Sequence, residues 1–143
     1  MKCIALLFFV PSLAMASFSG QFNGSGQAVM HPSEKKRICS EIFMQIKQDE
    51  KSLQVLVGGY VCADLQADFP RFSLDIKNGD LLSDNVKVGT ITADEINLYQ
   101  INQDENFTYH LHLVRKSQQM MFDEEWTDST SPALSVTGTM TGH

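Results

Sequence analysis

The sequence lacks an apolar run long enough to cross a bilayer as a helix. Its apolar run at Ile4–Val10 falls well short of the roughly 20 residues that such a span needs. Large basic clusters are also missing, because none exceeds Lys35-Lys36-Arg37 and the net charge is −6. This charge balance argues against nucleic acid as a partner. We therefore expect a protein that neither spans a membrane nor binds nucleic acid.

Motifs that would indicate an enzyme are absent from the sequence as well. No Gly-x-Ser-x-Gly occurs, and the serine and threonine residues are scattered through predicted turns. The glycine-rich stretch Gly20–Gly26 does not open a predicted helix, so it does not have the context of a phosphate-binding loop. These patterns predict a protein without catalytic activity and without a cofactor.

Cysteine is scarce, with three residues in the chain. Cys3 lies in a segment typical of secretory signal peptides, in which Lys2 precedes a short apolar run and an A-x-A ending. We predict that residues 1–16 are a signal peptide cleaved after Ala16, and that residues 17–143 form one domain. The location would then be the periplasm or the exterior, where disulfides form. The alternative for this segment is a buried N-terminal helix.

The other two cysteines lie on two runs of alternating apolar residues, which predict the strands of a β-hairpin. These strands would be joined by a four-residue loop at residues 49–52 or by a two-residue loop at Glu50-Lys51. Either loop sets Ile46 opposite Val55, Met44 opposite Val57 and Cys39 opposite Cys62. We therefore predict a hairpin closed by a Cys39–Cys62 disulfide. The apolar residues of each run share one predicted inward face: Ile38, Ile42, Met44 and Ile46 on the first strand, and Leu53, Val55, Val57, Val61 and Ala63 on the second.

The remainder of the chain continues as short alternating segments separated by turn signals. Asn78-Gly79 is the strongest two-residue hairpin signal in the sequence. A turn centred on Gln103-Asp104 would pair Leu98 with Tyr109. Another turn is centred on Ser117-Gln118. The sequence thus predicts hairpins that follow one another directly.

Short strands joined in sequence predict an all-β fold, an antiparallel up-and-down β-barrel of about 8–10 strands. A β-sandwich is the alternative, and residues 33–48 also carry a helical spacing of isoleucines. An outer-membrane barrel would display its aromatic residues as outward girdles. Here the aromatic residues share faces with leucine, isoleucine and methionine, which is typical of a packed interior.

The start of the first strand resembles a known motif. Gly20-Gln21-Phe22 is similar to the G-x-W with which lipocalin-like (calycin) and avidin-type barrels begin, with Phe22 in place of the tryptophan. The resemblance implies a small secreted barrel that encloses an apolar or small ligand. It covers three residues, and later lipocalin motifs have no counterpart in the chain.

A carboxylate among apolar residues predicts a ligand site. Glu124 alternates with Phe122 and Trp126, and the turn at Ser117-Gln118 sets Tyr109 opposite Trp126. A carboxylate in an apolar barrel could fix the polar end of a ligand. The alternatives are a Glu124 at the rim in water and aromatic residues that only fill the core. The candidate ligand-binding residues are Trp126, Tyr109, Phe122, Phe72 and Glu124.

Two histidines stand two residues apart on one strand. His110 and His112 share a face, and the register of their hairpin places them opposite Glu125 and Asp123. Such a group could bind a divalent metal. The alternative, which we favour, is a solvated outer face with cross-strand charge pairs worth about 0.2–1 kcal/mol each.

Two functions are compatible with these features. The first is an extracytoplasmic binding protein that holds a small apolar or amphipathic molecule in the barrel. The second is a secreted or periplasmic protein-interaction module, such as an inhibitor or envelope component, that has a filled barrel and acts through its loops. An eight-stranded barrel can be filled or hold one small ligand, so the strand count does not separate them.

Overall fold

Eleven antiparallel strands make up most of the computed structural model, which describes residues 17–102, 106–128 and 131–143. They follow the alternating segments of the sequence, and the described residues contain no helix that could cross a membrane. The strands are β1 Gly20–Met30, β2 Lys35–Gln48, β3 Ser52–Cys62, β4 Leu65–Asp68, β5 Phe72–Lys77, β6 Asp80–Ser83, β7 Val86–Ile91, β8 Glu95–Asn102, β9 Phe107–Lys116, β10 Gln119–Asp128 and β11 Ser131–Gly142.

The strands close into a ring. Neighbours in the chain pair in sequence from β5 to β11, β11 pairs with β1, and β2 joins β1 to β3. Strand β3 pairs with β5 through its first half and with β4 through its second half. Strands β4 and β5 therefore lie end to end beside β3. They are separated at Pro70, which has no backbone N–H to donate to the sheet. The predicted up-and-down barrel is confirmed, with ten strands in the ring.

The β2–β3 hairpin has the predicted register at both of its ends. Ile46 lies opposite Val55 near the turn. At the far end, Cys39 lies opposite Cys62 and forms a disulfide with it. The alternative helix in this region is wrong, because the segment forms strand β2.

The middle of the same hairpin is shifted by one residue from the predicted register. Met44 lies opposite Gly58 rather than Val57. One register shift leaves Leu56 as an extra residue on β3, and the other leaves Ser40 as an extra residue on β2. Each extra residue is a β-bulge, and the two compensate because they lie on opposite strands.

The bulges also reverse which side chains face the interior. Val57 was predicted to point inward but is 45% exposed, whereas Tyr60 is 1% exposed. On β2, Ile38 was predicted to point inward but is 72% exposed. A single extra residue moves all later side chains of a strand to the other face. Val61 and Ala63, both outside the core, follow the same rule.

The later hairpins agree with the sequence except at one connection. Asn78 and Gly79 both have positive φ and join β5 to β6 as predicted. Leu98 pairs with Leu111 instead of Tyr109, so the β8–β9 register is wrong by two residues. The predicted turn at Gln103-Asp104 includes residues outside the described ranges. A shift of two residues keeps every side chain on its predicted face.

An aromatic residue and a cation pack together at the start of the described chain. Phe18 is fully buried, and the Arg115 guanidinium lies 4.3 Å from the centroid of its ring. Arg115 also donates to the Ser17 carbonyl. A guanidinium over a ring at this distance is a stabilising cation–π contact. The contact and the hydrogen bond together hold the start of the described chain against β9.

Candidate functional site

Glu124 is the only charged side chain among the described residues that is completely buried. It lies on β10 between Met120 and Phe122 on one side and Trp126 on the other, and its strand neighbours are Leu111 and Val136. The strand alternation and the confirmed β9–β10 register together turn its carboxyl into the barrel. The side chain is therefore inside the barrel and not at a wet rim.

Three side-chain donors come close to this carboxyl: the hydroxyls of Tyr60 and Tyr109 and the indole N–H of Trp126. Each lowers the pKa of Glu124, but burial outweighs them and raises it from 4.5 to about 7. Within the described residues, neither carboxyl oxygen has a partner at hydrogen-bond distance and angle, and neither does the Trp126 N–H. The donors thus surround the carboxyl without satisfying it.

The two tyrosines respond to the same environment. Burial raises the pKa of both Tyr60 and Tyr109, and the nearby Glu124 carboxylate raises it further. Both hydroxyls therefore keep their protons and are available to donate at physiological pH. The carboxyl faces neutral donors only.

Aromatic rings enclose this polar group. The Trp126 ring lies 4.8 Å from Tyr109 and 5.3 Å from Phe107, centroid to centroid. Tyr60 makes an edge contact with Phe69 at 5.9 Å. These are ordinary distances for favourable ring pairs. We call Tyr60, Tyr109, Trp126 and Glu124 the carboxyl cluster.

A pocket opens through the barrel wall beside the carboxyl cluster. It encloses about 230 Å³. Most of its lining is apolar, and the polar lining residues are Ser73, Ser83, Tyr99 and Gln100. We call it the side pocket. Its principal apolar lining residues are Pro70, Phe72, Leu74, Val88, Leu98 and Tyr109.

The side pocket exists because the β6–β7 hairpin is short. Strand β7 pairs with β8 only between Gly89–Leu98 and Ile91–Ile96. Strand β5 pairs with β6 only from Asp75 onward. Among the described strands, the start of β5 and the end of β8 therefore lack a neighbour on this side, and the interior is reached between them.

The five predicted ligand-binding residues divide between these two features. Phe72 and Tyr109 line the side pocket. Tyr109 also belongs to the carboxyl cluster with Trp126 and Glu124. Phe122 is 1% exposed and stacks on Phe69 with centroids 6.3 Å apart, so it lies in the packed core. Tyr109 is thus the residue that connects the pocket with the carboxyl.

Tyr60 is the member of the cluster that the sequence did not predict. Its position on an even residue of β3 assigned it to the outer face. The bulge at Leu56 turns it inward. The Gly58-Gly59 pair does predict a bulge or kink in this strand. It does not place the bulge at Leu56, so the inward turn of Tyr60 was not predicted.

The two histidines lie on the outer face of β9, away from the cluster. His110 Nε2 lies 2.8 Å from Asn97 Oδ1, and His112 Nε2 lies 2.6 Å from Glu95 Oε1. Their hydrogen bonds thus go to β8, although the register does place Asp123 and Glu125 opposite them. Burial lowers the pKa of His110, and the neighbouring His112 lowers it further.

No metal site emerges from this outer face. The described residues contain no group of three or more His, Cys, Asp or Glu side chains that could hold a metal ion. Instead the Tyr99 ring stacks on His110 at 4.2 Å, and His110 on His112 at 6.1 Å. The geometry is that of a hydrogen-bonded and stacked exterior.

Comparison with known proteins returned no relatives: no family model matches the chain, and no curated protein matches it significantly. The likeness to lipocalin-like barrels therefore rests on Gly20-Gln21-Phe22 and on an antiparallel barrel architecture that is compatible with it.

Proposed function

We propose that the chain is an extracytoplasmic, non-enzymatic binding protein that holds a small apolar or amphipathic molecule in the side pocket. One observation carries this proposal. Tyr109 lines the apolar pocket and at the same time approaches a buried carboxyl whose oxygens are unsatisfied. Ligand sites combine a largely apolar lining with a few polar groups that fix orientation, and this arrangement supplies both.

The size of the side pocket limits what it can take. Pockets for drug-sized ligands enclose about 300–1,000 Å³. A volume of about 230 Å³ therefore suits a small molecule or one end of a chain-like molecule. The lipocalin-like resemblance supports the same class of ligand.

We propose export on separate grounds. The disulfide between Cys39 and Cys62 is typical of an oxidising compartment. The predicted signal peptide, residues 1–16, lies outside the described residues, so its cleavage stays a prediction. Mass spectrometry of the exported protein is expected to find Ser17 as the first residue. A mature protein that retains residues 1–16 would contradict the proposed location.

A filled barrel that acts through its loops is the second candidate. It is favoured by the dense interior, where large side chains such as Phe122, Ile42 and Leu53 are fully buried. A protein with this function would not need the side pocket. Blocking the pocket therefore separates the two candidates.

Val88→Phe is expected to weaken binding by filling part of the side pocket. Trp126 is the only tryptophan, and its contact with Tyr109 makes its fluorescence sensitive to a ligand in the pocket. With 1-decanol as the probe, the wild type should show a saturable change in Trp126 emission. Val88→Phe should weaken the affinity at least tenfold, because the new ring occupies the space of the ligand.

Met121→Phe is the matched control, since it adds similar bulk at a side chain that is 44% exposed on β10. It should bind 1-decanol like the wild type. If the wild type shows no saturable change, or if Val88→Phe binds equally well, the pocket is not a ligand site. The loop-mediated function would then be the better explanation.

A further inference from the structure

The Glu124 carboxyl has no positively charged partner in the part of the chain that the structure describes. The groups that face it are Tyr60 from β3, Tyr109 from β9 and Trp126 from its own strand, and its neighbour on β11 is Val136. Among the described residues, no lysine, arginine or histidine contributes to its electrostatics. A buried carboxylate without a counter-charge is costly, and an incoming cation would remove that cost.

The aromatic members of the cluster favour the same kind of ligand. The faces of Trp126 and Tyr109 carry the negative potential of their π systems, and their centroids are only 4.8 Å apart. Phe107 adds a third ring 5.3 Å from Trp126. Ring faces attract ammonium groups. Because Trp126 and Tyr109 are in contact with each other, the ammonium group would lie against a ring face and not between the two rings. A fatty carboxylate would instead meet a like charge at Glu124.

On the basis of the proposed function, we infer that the polar end of the ligand is an organic cation, an amine or a quaternary ammonium group, held by Tyr109, Trp126 and Glu124. Its apolar chain lies in the side pocket between Phe72 and Leu98. Tyr109 separates the pocket from the carboxyl, and its side chain is only partly buried. Since Glu124 is fully buried, this binding mode requires the Tyr109 ring to rotate so that the cation reaches the carboxyl.

The test compares four probes with the same ten-carbon chain: decylamine, decyltrimethylammonium, 1-decanol and decanoate, each below its micelle concentration at pH 8. Both cations should bind the wild type at least tenfold more tightly than 1-decanol, and decanoate should bind most weakly. In Glu124→Gln the difference between the cations and 1-decanol should fall below threefold, because the carboxylate is gone. Circular dichroism establishes that this variant is folded.

A second measurement detects the proton of the cluster directly. Decyltrimethylammonium has a fixed charge, so any proton released on binding comes from the protein. Tyr60 and Tyr109 are the other titratable groups that face Glu124, and burial raises their pKa values, which keeps them protonated. Calorimetry at pH 7 in two buffers should find a net release of protons by the wild type and none by Glu124→Gln, because burial raises the pKa of Glu124.

The outcomes separate this inference from the proposed function. If all four probes bind with similar affinity and Glu124→Gln changes nothing, the cation is excluded while the pocket remains a ligand site. If none of the probes binds, or if Val88→Phe does not weaken their binding, the proposed function itself fails and the inference fails with it.

Discussion

Replacement of both Cys39 and Cys62 with alanine is expected to lower the free energy of unfolding by about 3 kcal/mol. The two residues are 23 positions apart in the chain, and their bond closes most of the β2–β3 hairpin into a loop. In the unfolded state the closed loop restricts the conformations that the chain can adopt. On the chain-entropy model, closing a loop of this length stabilises the folded state by about 3 kcal/mol. Both cysteines are fully buried. Alanine is preferred to serine as the replacement, because a serine hydroxyl would be unsatisfied in the core.

Urea denaturation measures this change. The reference is the wild type with its disulfide reduced, which should unfold at nearly the same urea concentration as the double variant. The small remaining difference in stability is due to the loss of the two buried sulfur atoms in the double variant. If the oxidised wild type is no more stable than either of these forms, the bond does not contribute to stability as the chain-entropy model requires.

The fold was predictable where short-range signals decide it. The Asn78-Gly79 turn needs positive φ at both residues, and asparagine and glycine tolerate this conformation best. The Ser117-Gln118 turn fixed the β9–β10 register correctly because the hairpin contains no bulge there. With turns this short, neighbours in the chain become neighbours in the sheet, and a sequential ring follows.

The β2–β3 hairpin shows why agreement at two points does not establish a register between them. The Cys39–Cys62 pair and the Ile46–Val55 pair were both predicted correctly. Between them lie two bulges of opposite effect, and the alternation of apolar residues does not reveal either. Whether a bulge forms depends on the backbone hydrogen bonds to both neighbouring strands and on the crowding of side chains. Both factors are properties of the assembled sheet and not of one segment of sequence.

Part of the site was predictable for the same reasons. Glu124 and Trp126 share an inward face by simple alternation, and the β9–β10 register brings Tyr109 to Trp126. Tyr60 was assigned to the wrong face, because alternation alone does not locate the bulge at Leu56. The side pocket could not be predicted from the sequence either. It arises where β6 and β7 end early, and its two sides, on β5 and β8, are far apart in the chain.

Glu124→Gln is expected to remove a large part of the pH dependence of stability. Burial raises the pKa of Glu124 from 4.5 to about 7 in the folded protein. Below pH 4.5 the carboxyl is protonated in both states. Between pH 4.5 and 7 it ionises in the unfolded chain but not in the folded one, so the wild type loses stability as the pH rises. Above pH 7 the loss is complete and amounts to about 3 kcal/mol.

Glutamine has nearly the same shape as the protonated side chain and cannot ionise. The variant should therefore match the wild type at pH 4 and exceed it by about 3 kcal/mol at pH 8. Urea denaturation at several pH values between these limits measures the difference. Asp49 and Asp64, whose pKa values are lowered by hydrogen bonds, and His110, whose pKa is lowered by burial, are present in both proteins. Their contributions cancel when one curve is subtracted from the other.

Glu41→Gln is the matched control, because it makes the same chemical change on the exposed face of β2. Its stability should follow the wild type from pH 4 to pH 8. If Glu124→Gln is as pH-dependent as Glu41→Gln, the Glu124 carboxyl must already be ionised at neutral pH in the folded protein. Donation by Tyr60, Tyr109 and Trp126 would then satisfy the carboxylate without any ligand, and Glu124 would serve the core instead of a binding site.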